Sequence, residues 1–306
     1  MKIVFMGTPD FAIPTLEKLN EISDVSLVVS QVDKKKGRGK KLLPPPVKEE
    51  AIKLGIEVFQ PENINSPTSI EKLKNVQADI FVVVAYGQIL SKEVLQIPKL
   101  YCINVHASLL PYLRGAAPIN RAIIDGFEES GISIMKMEEG LDSGDVALQK
   151  SLAIKDKNAY ELENDLAKMG AELIEDFLIN LDKGKIQFKE QDHSKMTYAK
   201  KITKSTFNID FSKTSEEILN LIRGLDPYYG ARAKYKDEII KIFKAYNYDY
   251  IGIEEPGTIL DNNKKLIIKT GDGAISVEEL QIPGKKRMDI KSFLLGHNFD
   301  KNERLG

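Results

Sequence analysis

Two side chains able to act on one reacting atom stand two positions apart in NVHASLLPYLRG, residues 104–115. Asn104 offers an amide donor, and His106 offers an imidazole, the side-chain type suited to handling a proton. Alternate residues of a strand face the same side, so an extended YCINVHA points both into one cleft. A third polar group comes from MEEGLDSGDVAL, where Gly140 and Gly144 bracket Asp142 in a tight turn, with Asp145 as its competitor. A carboxylate beside His106 favours the imidazolium. An amide donor, a cationic ring and an orienting carboxylate together suit a reaction that passes through a tetrahedral oxyanion. No protein nucleophile is needed when the substrate brings its own amine. Ser108 follows closely but lacks the G-x-S-x-G turn that presents a nucleophilic serine. His193 and His297 stand in polar and terminal sequence without an H-E-x-x-H pattern, so a metal is not expected.

These groups need a scaffold, and the first half of the chain alternates strand-like with helix-like stretches. KIVFMG, VSLVVS, ADIFVVVAYG and YCINVHA read as strands, and TLEKLNEI, SIEKLKNV and APINRAIIDG as helices. The unbroken apolar run in ADIFVVVAYG suits a strand buried on both faces of a parallel sheet. GISIMKM and DVALQKSLAI form an extended pair at the sheet edge, and the long helix beginning near NAYELENDL ends at Gly184, where a left-handed cap is cheap. The expectation is an α/β domain over residues 1–187, with a mostly parallel sheet and helices on both faces. Residues 182–204 then carry seven lysines against three acids, and 188–206 read as a basic linker. Over 207–306 a helix at SEEILNLIRGL is followed by short strands with Gly, Asn and Asp turns, the pattern of a smaller β-barrel domain.

At 306 residues, two domains are expected. The 44 basic and 45 acidic residues nearly cancel, which excludes no polyanionic partner, because local patches set the field such a partner meets. Cys102 is the single cysteine, so neither an intrachain disulfide nor a cysteine-rich zinc site is available, which fits a reducing compartment. The N-terminal MKIVFMG starts as a strand rather than a secretory signal, and there is no apolar stretch of membrane-spanning length. A cytoplasmic protein without a membrane partner is expected.

Three further segments fall where the strands of such a sheet end. Residues 34–48 carry seven Lys or Arg and no acid, with Gly37 and Gly39 loosening the middle and Pro44 to Pro46 stiffening the exit. A phosphate backbone bound there would release counterions; a solvated charge run is the plainer alternative. FMGTPDFA is a glycine turn after the first strand, either structural or ligand-facing, without the dinucleotide fingerprint. In YGQILSKEVL, Tyr86 and the backbone from Gly87 to Leu90 could line a pocket for a flat polar heterocycle, although a tyrosine capping the sheet core explains the ring equally well.

Taken in order, FMGTPDFA, GRGKKLLPPPVK, AYGQILSKEVL, NVHASLLPYLRGAAPINRAI, MEEGLDSGD and LQIPGKKRM resemble the folate-dependent formyltransferases, in the branch that acts on charged initiator tRNA, over essentially the whole chain. The resemblance implies an enzyme that moves the formyl group of 10-formyltetrahydrofolate to the α-amine of methionyl initiator tRNA for translation initiation. It implies catalysis by Asn104, His106 and Asp142. The folate donor would contact Tyr86, Gly87, Gln88, Ile89 and Leu90, then Ser108, Leu109, Leu110 and Pro111, with Glu139, Gly140 and Leu141 closing another side. The tRNA would meet Lys34, Lys35, Lys36, Arg38, Lys40 and Lys41, the linker residues Lys200 and Lys201, and Lys285, Lys286 and Arg287 of a C-terminal domain similar to an oligonucleotide-binding fold. A monomer suffices for this. The segment from Val32 to Lys36 holds more lysine than proline, which retains the charge of the insertion and leaves its conformation open.

Three other readings compete. A formyltransferase for a small amino sugar or purine precursor shares the centre but does not need the basic insertion, the basic linker and the β-rich domain together. A non-enzymatic RNA-binding protein leaves Asn104, His106 and Asp142 without a joint purpose. A hydrolase needs an activated water. Dependence on the folate donor separates them.

Overall fold

Lys2–Gly7 is the strand on which the first sheet is built. It pairs in parallel with Asp24–Val29 on one side and Ile80–Val84 on the other. The computed structural model describes residues 1–36 and 41–306. Val58–Phe59 extends the sheet beyond Asp24–Val29, and Tyr101–His106 extends it beyond Ile80–Val84, both in parallel. Glu129–Lys136 then joins Tyr101–His106 antiparallel, and Val146–Ala153 is the edge strand. The chain thus grows outward on one side of Lys2–Gly7 and returns to grow on the other. Such a reversal opens a crevice at the carboxyl ends of the strands.

Both faces of this sheet are covered. Ile70 and Leu73 of the helix Pro67–Val76 pack with Val4, Met6, Phe81 and Val83. On the other face Gly170, in the long helix Ala159–Asp182, approaches Val105, Ile132 and Thr15. This is why Ile80–Val84 is buried along its whole length. The helix Pro67–Val76 starts at Pro67 behind a Ser66 cap that accepts from the Ser69 amide, the arrangement in which a proline and a capping hydroxyl reinforce one another. The proline run likewise opens a helix, Pro46–Lys53, because a fixed φ suits the first turn. Ahead of it, Lys34–Lys36 pairs antiparallel with Lys41–Leu43.

Residue contacts divide the chain into two units that are not consecutive in sequence. The first comprises residues 1–115, 130–152 and 163–198 and contains the sheet above. The second gathers 116–129, 153–162 and 199–306. Its sheet runs Ala231–Tyr235, Glu238–Tyr248, Ala274–Gln281, Leu266–Lys269 and Ile259–Asp261, with Met288–Asp289 added to Ala274–Gln281, in antiparallel pairs that curl into a half-barrel. Ile218, Ile222 and Leu225 of the helix Ser215–Leu225 fill its core beside Ile240, Ile242, Ile268, Ile275 and Val277. A capping box between Thr214 and Glu217 starts that helix. Its Gly224 admits the helix Pro118–Ile124: an added Cβ would lie 2.5 Å from Cγ1 of Ile124, and the Gly224 carbonyl accepts from the Asn120 amide at 2.8 Å. Among the described residues no helix is long and apolar enough to cross a membrane.

Candidate active site

Strand alternation places the first two side chains. Cys102 of Tyr101–His106 joins the cluster holding Phe81 and Val83, while Val105 meets the long helix on the opposite face. Asn104 and His106 therefore share the Cys102 side at the carboxyl edge. The Asn104 side chain is half-buried and has no hydrogen-bond partner among the described residues, so both amide hydrogens are available. His106 is 6% exposed. Its Nε2 lies 3.2 Å from the Leu113 carbonyl and its Nδ1 lies 3.8 Å from Oδ2 of Asp142. A carbonyl only accepts, so Nε2 carries the hydrogen in the neutral ring and Nδ1 turns its lone pair toward the carboxylate. That separation exceeds a hydrogen bond but lies within ion-pair range. A proton arriving at Nδ1 thus produces a cation facing a carboxylate.

The Asp142 turn is built to close tolerances. Asp142 has a φ of 47°, uncommon for a residue with a side chain, and its Oδ2 accepts from the Gly115 amide at 2.8 Å. At Gly144 an added Cβ would stand 2.0 Å from the Lys136 carbonyl, so the turn presses on the neighbouring strand as only glycine permits. Asp145, the competing carboxylate, follows this turn, and its main-chain carbonyl accepts from the Lys136 amide at 2.8 Å. Within ion-pair distance of His106 the structure places Asp142.

Next to the histidine, SLLP forms a wall fixed by one hydroxyl. Ser133 donates to the Ser108 carbonyl at 2.6 Å and accepts from the Leu110 amide at 3.1 Å and from Gln149 at 2.8 Å. Gln149 also donates to the Leu110 carbonyl, and the Leu110–Pro111 peptide is cis. The Ser108 hydroxyl is buried and donates to the Tyr112 carbonyl at 2.6 Å, a wall residue rather than an exposed nucleophile. Leu109 and Pro111 are half-buried on this segment, whereas Leu110 is buried.

The turn after Ile80–Val84 differs in part from the sequence expectation. Tyr86 is 2% exposed and packs in the core, and burial pushes its phenol well above the usual range; its ring caps the sheet rather than facing a cleft. Its carbonyl accepts from the Thr8 hydroxyl at 2.7 Å, which ties this turn to FMGTPDFA. Gly87 has a φ of 92°. The Gln88 amide is occupied locally, accepting from Ile64 N and donating to the Pro61 carbonyl. Leu90 is buried, but Ile89 is 89% exposed, as is 61% of Leu141. Lys92 pairs with Glu139 at 3.8 Å, so this turn and the one containing Glu139, Gly140 and Leu141 are neighbours.

Of the basic residues, Lys34, Lys35 and Lys41 are exposed. Lys36 is described only in its backbone, and Arg38 and Lys40 lie outside the described residues. Beyond the hairpin, Lys48 pairs with Asp33 at 2.8 Å, and that bond, with one from Gln60, holds the Asp33 carboxyl below its usual range. Lys200, Lys201, Lys285 and Lys286 are exposed in the second unit. Arg287 is engaged instead: it bonds Asp226 at 2.6 Å, bonds Glu279, and lies over the Phe243 ring at 4.5 Å.

Arg114, Gln191 and Thr197 were not among the residues expected at the site, yet they hold it from behind. The Leu113 amide donates to the Thr197 hydroxyl at 2.9 Å and the Arg114 amide to the Thr197 carbonyl at 2.9 Å. Gln191 is buried although it stands in the polar stretch read as linker. The arginine of PYLRG was the available signal; nothing in the periodicity marks Gln191.

Residues 1–178 match the family model described as formyl transferase, and residues 201–298 match that of the formyl transferase C-terminal domain. A protein from Caldanaerobacter subterraneus subsp. tengcongensis named methionyl-tRNA formyltransferase is 46% identical over 97% of each chain. One of the same name from Clostridium acetobutylicum is 47% identical over 98% of each. Among solved structures, the sugar 3N-formyltransferase WlaRD shares the fold with a TM-score of 0.68 at 20% identity, covering 94% of this chain and 99% of that one.

Proposed function

The chain belongs to the formyl transferase family, and on that premise we propose that it moves the formyl group of 10-formyltetrahydrofolate to the α-amine of methionine esterified to initiator tRNA. What carries this reading is an Asn104 amide without a hydrogen-bond partner among the described residues, on the strand face shared by a buried His106 whose second nitrogen faces Asp142, in a chain similar over 97–98% of its length to enzymes of that name.

The neutral methionyl amine attacks the formyl carbon, and the carbonyl oxygen becomes an oxyanion. Asn104 donates directly to that oxygen. The two His106 nitrogens already face the Leu113 carbonyl and Asp142, so the imidazolium acts through its charge, at short range in a site of low polarisability. Asp142 faces that cation at 3.8 Å and is assigned to receive the amine's proton, directly or through an ordered water. Collapse of the intermediate breaks the bond to N10 and releases tetrahydrofolate, which takes up a proton.

The family acts with folate. The exposed Ile89 and Leu141, on neighbouring turns, offer apolar area for a flat heterocycle to cover, and the rigid SLLP segment gives a third side. In sequence terms we assign formyl transfer to residues 1–187 and tRNA contact to 188–206 and 207–306, together with Lys34, Lys35, Lys36, Arg38, Lys40 and Lys41. The enzyme works as a monomer in the cytoplasm.

The test is single-turnover formyl transfer to charged initiator tRNA, with charged elongator methionyl-tRNA and omission of the folate donor as controls. Product that requires the donor and forms on the initiator supports the reading. Transfer only to small amines would replace the acceptor, and product without the donor would replace the reaction.

A further inference from the structure

Arg114 is 3% exposed, yet among the described residues none of its partners is a carboxylate. Nε and Nη2 donate to Oε1 of Gln191 at 3.1 and 2.7 Å. Nη2 also lies 3.0 Å from Nδ1 of His193, and Nη1 lies 3.7 Å from Sδ of Met196. A guanidinium only donates, which fixes Oε1 of Gln191 toward Arg114 and makes Nδ1 of His193 the acceptor. The two Gln191 amide hydrogens go to the carbonyls of Asp142 at 2.9 Å and Gly144 at 2.7 Å. Every hydrogen-bonding position of this buried amide is filled.

The relay therefore begins at a buried cation and ends on the turn that carries Asp142. Bonds to an ionised group are stronger than neutral ones and polarise those that follow, so Arg114 makes the Gln191 amide a better donor to that turn. A residue in the left-handed region persists there only when its surroundings over-determine it. Asp142 is held on both sides by adjacent residues: the Gly115 amide grips its carboxylate, and Arg114, through Gln191, grips its backbone.

The geometry assigns Gln191, backed by Arg114, as a positioning residue for formyl transfer: it holds the Asp142 carboxylate at its place beside His106. This rests on the function proposed above. A glutamine that merely stabilised the fold would have no need to address the two carbonyls flanking Ser143, within the turn of the reacting carboxylate.

Two variants and one cross test the assignment. Gln191→Met removes both donors. Gln191→Glu keeps an acceptor for Arg114, and hence a paired buried cation, while removing the donors to the turn, so it serves if the methionine variant does not fold. In single-turnover transfer each is expected to slow the step ten- to a hundredfold with KM for charged tRNA within about twofold. Combined with Asp142→Ala, either should add less than about twofold. A separate readout needs no turnover: the Gly115 amide donates to the Asp142 carboxylate at 2.8 Å, so its signal in amide NMR should move in Gln191→Met toward its position in Asp142→Ala. An unchanged Gly115 amide signal, or an equal loss with and without the Asp142 carboxylate, overturns the assignment. Absence of transfer by the unaltered chain overturns the proposed function instead, and the NMR result still decides the position of Asp142.

Discussion

Two segments leave the carboxyl edge of the same sheet and are built in opposite ways. After Tyr101–His106 the chain meets polar groups with defined partners: Ser133 serves three, Gln191 is saturated, and among the described residues the Asn104 side chain has none. After Asp24–Val29 it enters a short pair, Lys34–Lys36 with Lys41–Leu43, whose described side chains face solvent. The contrast follows from what each must recognise. An oxyanion is one atom, stabilised only by donors within a few tenths of an ångström of their best positions. A phosphate backbone is an extended field, to which number and sign of charge matter more than placement.

Substitutions should separate these two designs, beginning with the Asn104 site. Asn104→Ala should reduce the single-turnover rate by two orders of magnitude or more, equivalent to about 3 kcal/mol for a principal oxyanion donor, with KM for tRNA little changed. A rate within threefold of the unaltered chain would remove Asn104 from the mechanism. Gly144→Ala should come next, because its methyl would meet the Lys136 carbonyl. We expect about 1–3 kcal/mol of lost stability from such overpacking, visible in urea unfolding, together with a slower chemical step. Preserved stability and rate would mean that the turn yields more easily than its contacts imply.

The basic hairpin should respond differently. Replacing Lys34, Lys35 and Lys41 together by alanine should raise KM for charged tRNA several-fold with the saturated rate unchanged, and should flatten the dependence of tRNA affinity on salt. A fall in the saturated rate at unchanged salt slope would mean that this segment, too, works by position. The smallest effect should come from a control at the opposite edge of the sheet. The Asp79 carboxylate accepts from the Lys2 amide at 2.8 Å and pairs with Lys99 at 3.0 Å, and these bonds hold its pKa below the usual range. A depressed folded-state pKa contributes stability above the unfolded-state value and loses it as pH falls through the folded one. Asp79→Asn should therefore be less stable than the unaltered chain near pH 6 and equal to it in strong acid, with transfer activity intact at neutral pH; a deficit that persists in acid would exclude this carboxylate as its source.

What could be read in advance divides along the same line. The buried strands were legible because an apolar run such as ADIFVVVA has few alternatives, and the pairing of Asn104 with His106 followed from period-two alternation. The basic segment was legible from composition, but its brief strand pairing and the helix behind the prolines were not, since lysine runs carry no periodicity. Tyr86 shows the limit of inference from residue type: an aromatic ring near a site suits a ligand wall or a core, and here the core contains it. Gln191 shows the limit of inference from local sequence. It lies 49 positions from the carbonyl it holds, in a stretch whose polarity reads as solvent exposure, and only tertiary structure reveals that the polar group faces inward.

The interleaving of the two compact units bears on how such chains could be recombined. Residues 116–129 and 153–162 interrupt the first unit in sequence but belong to the second, and Asn120 and Ile124 fit against Gly224 of the helix Ser215–Leu225. A graft that exchanged only residues 199–306 for those of another chain would separate that fitted pair and place Ile124 against whichever residue replaced the glycine. To move the half-barrel intact, a chimera must carry three pieces of sequence, so inheritance by simple end-to-end exchange is the least favourable route by which this module could travel.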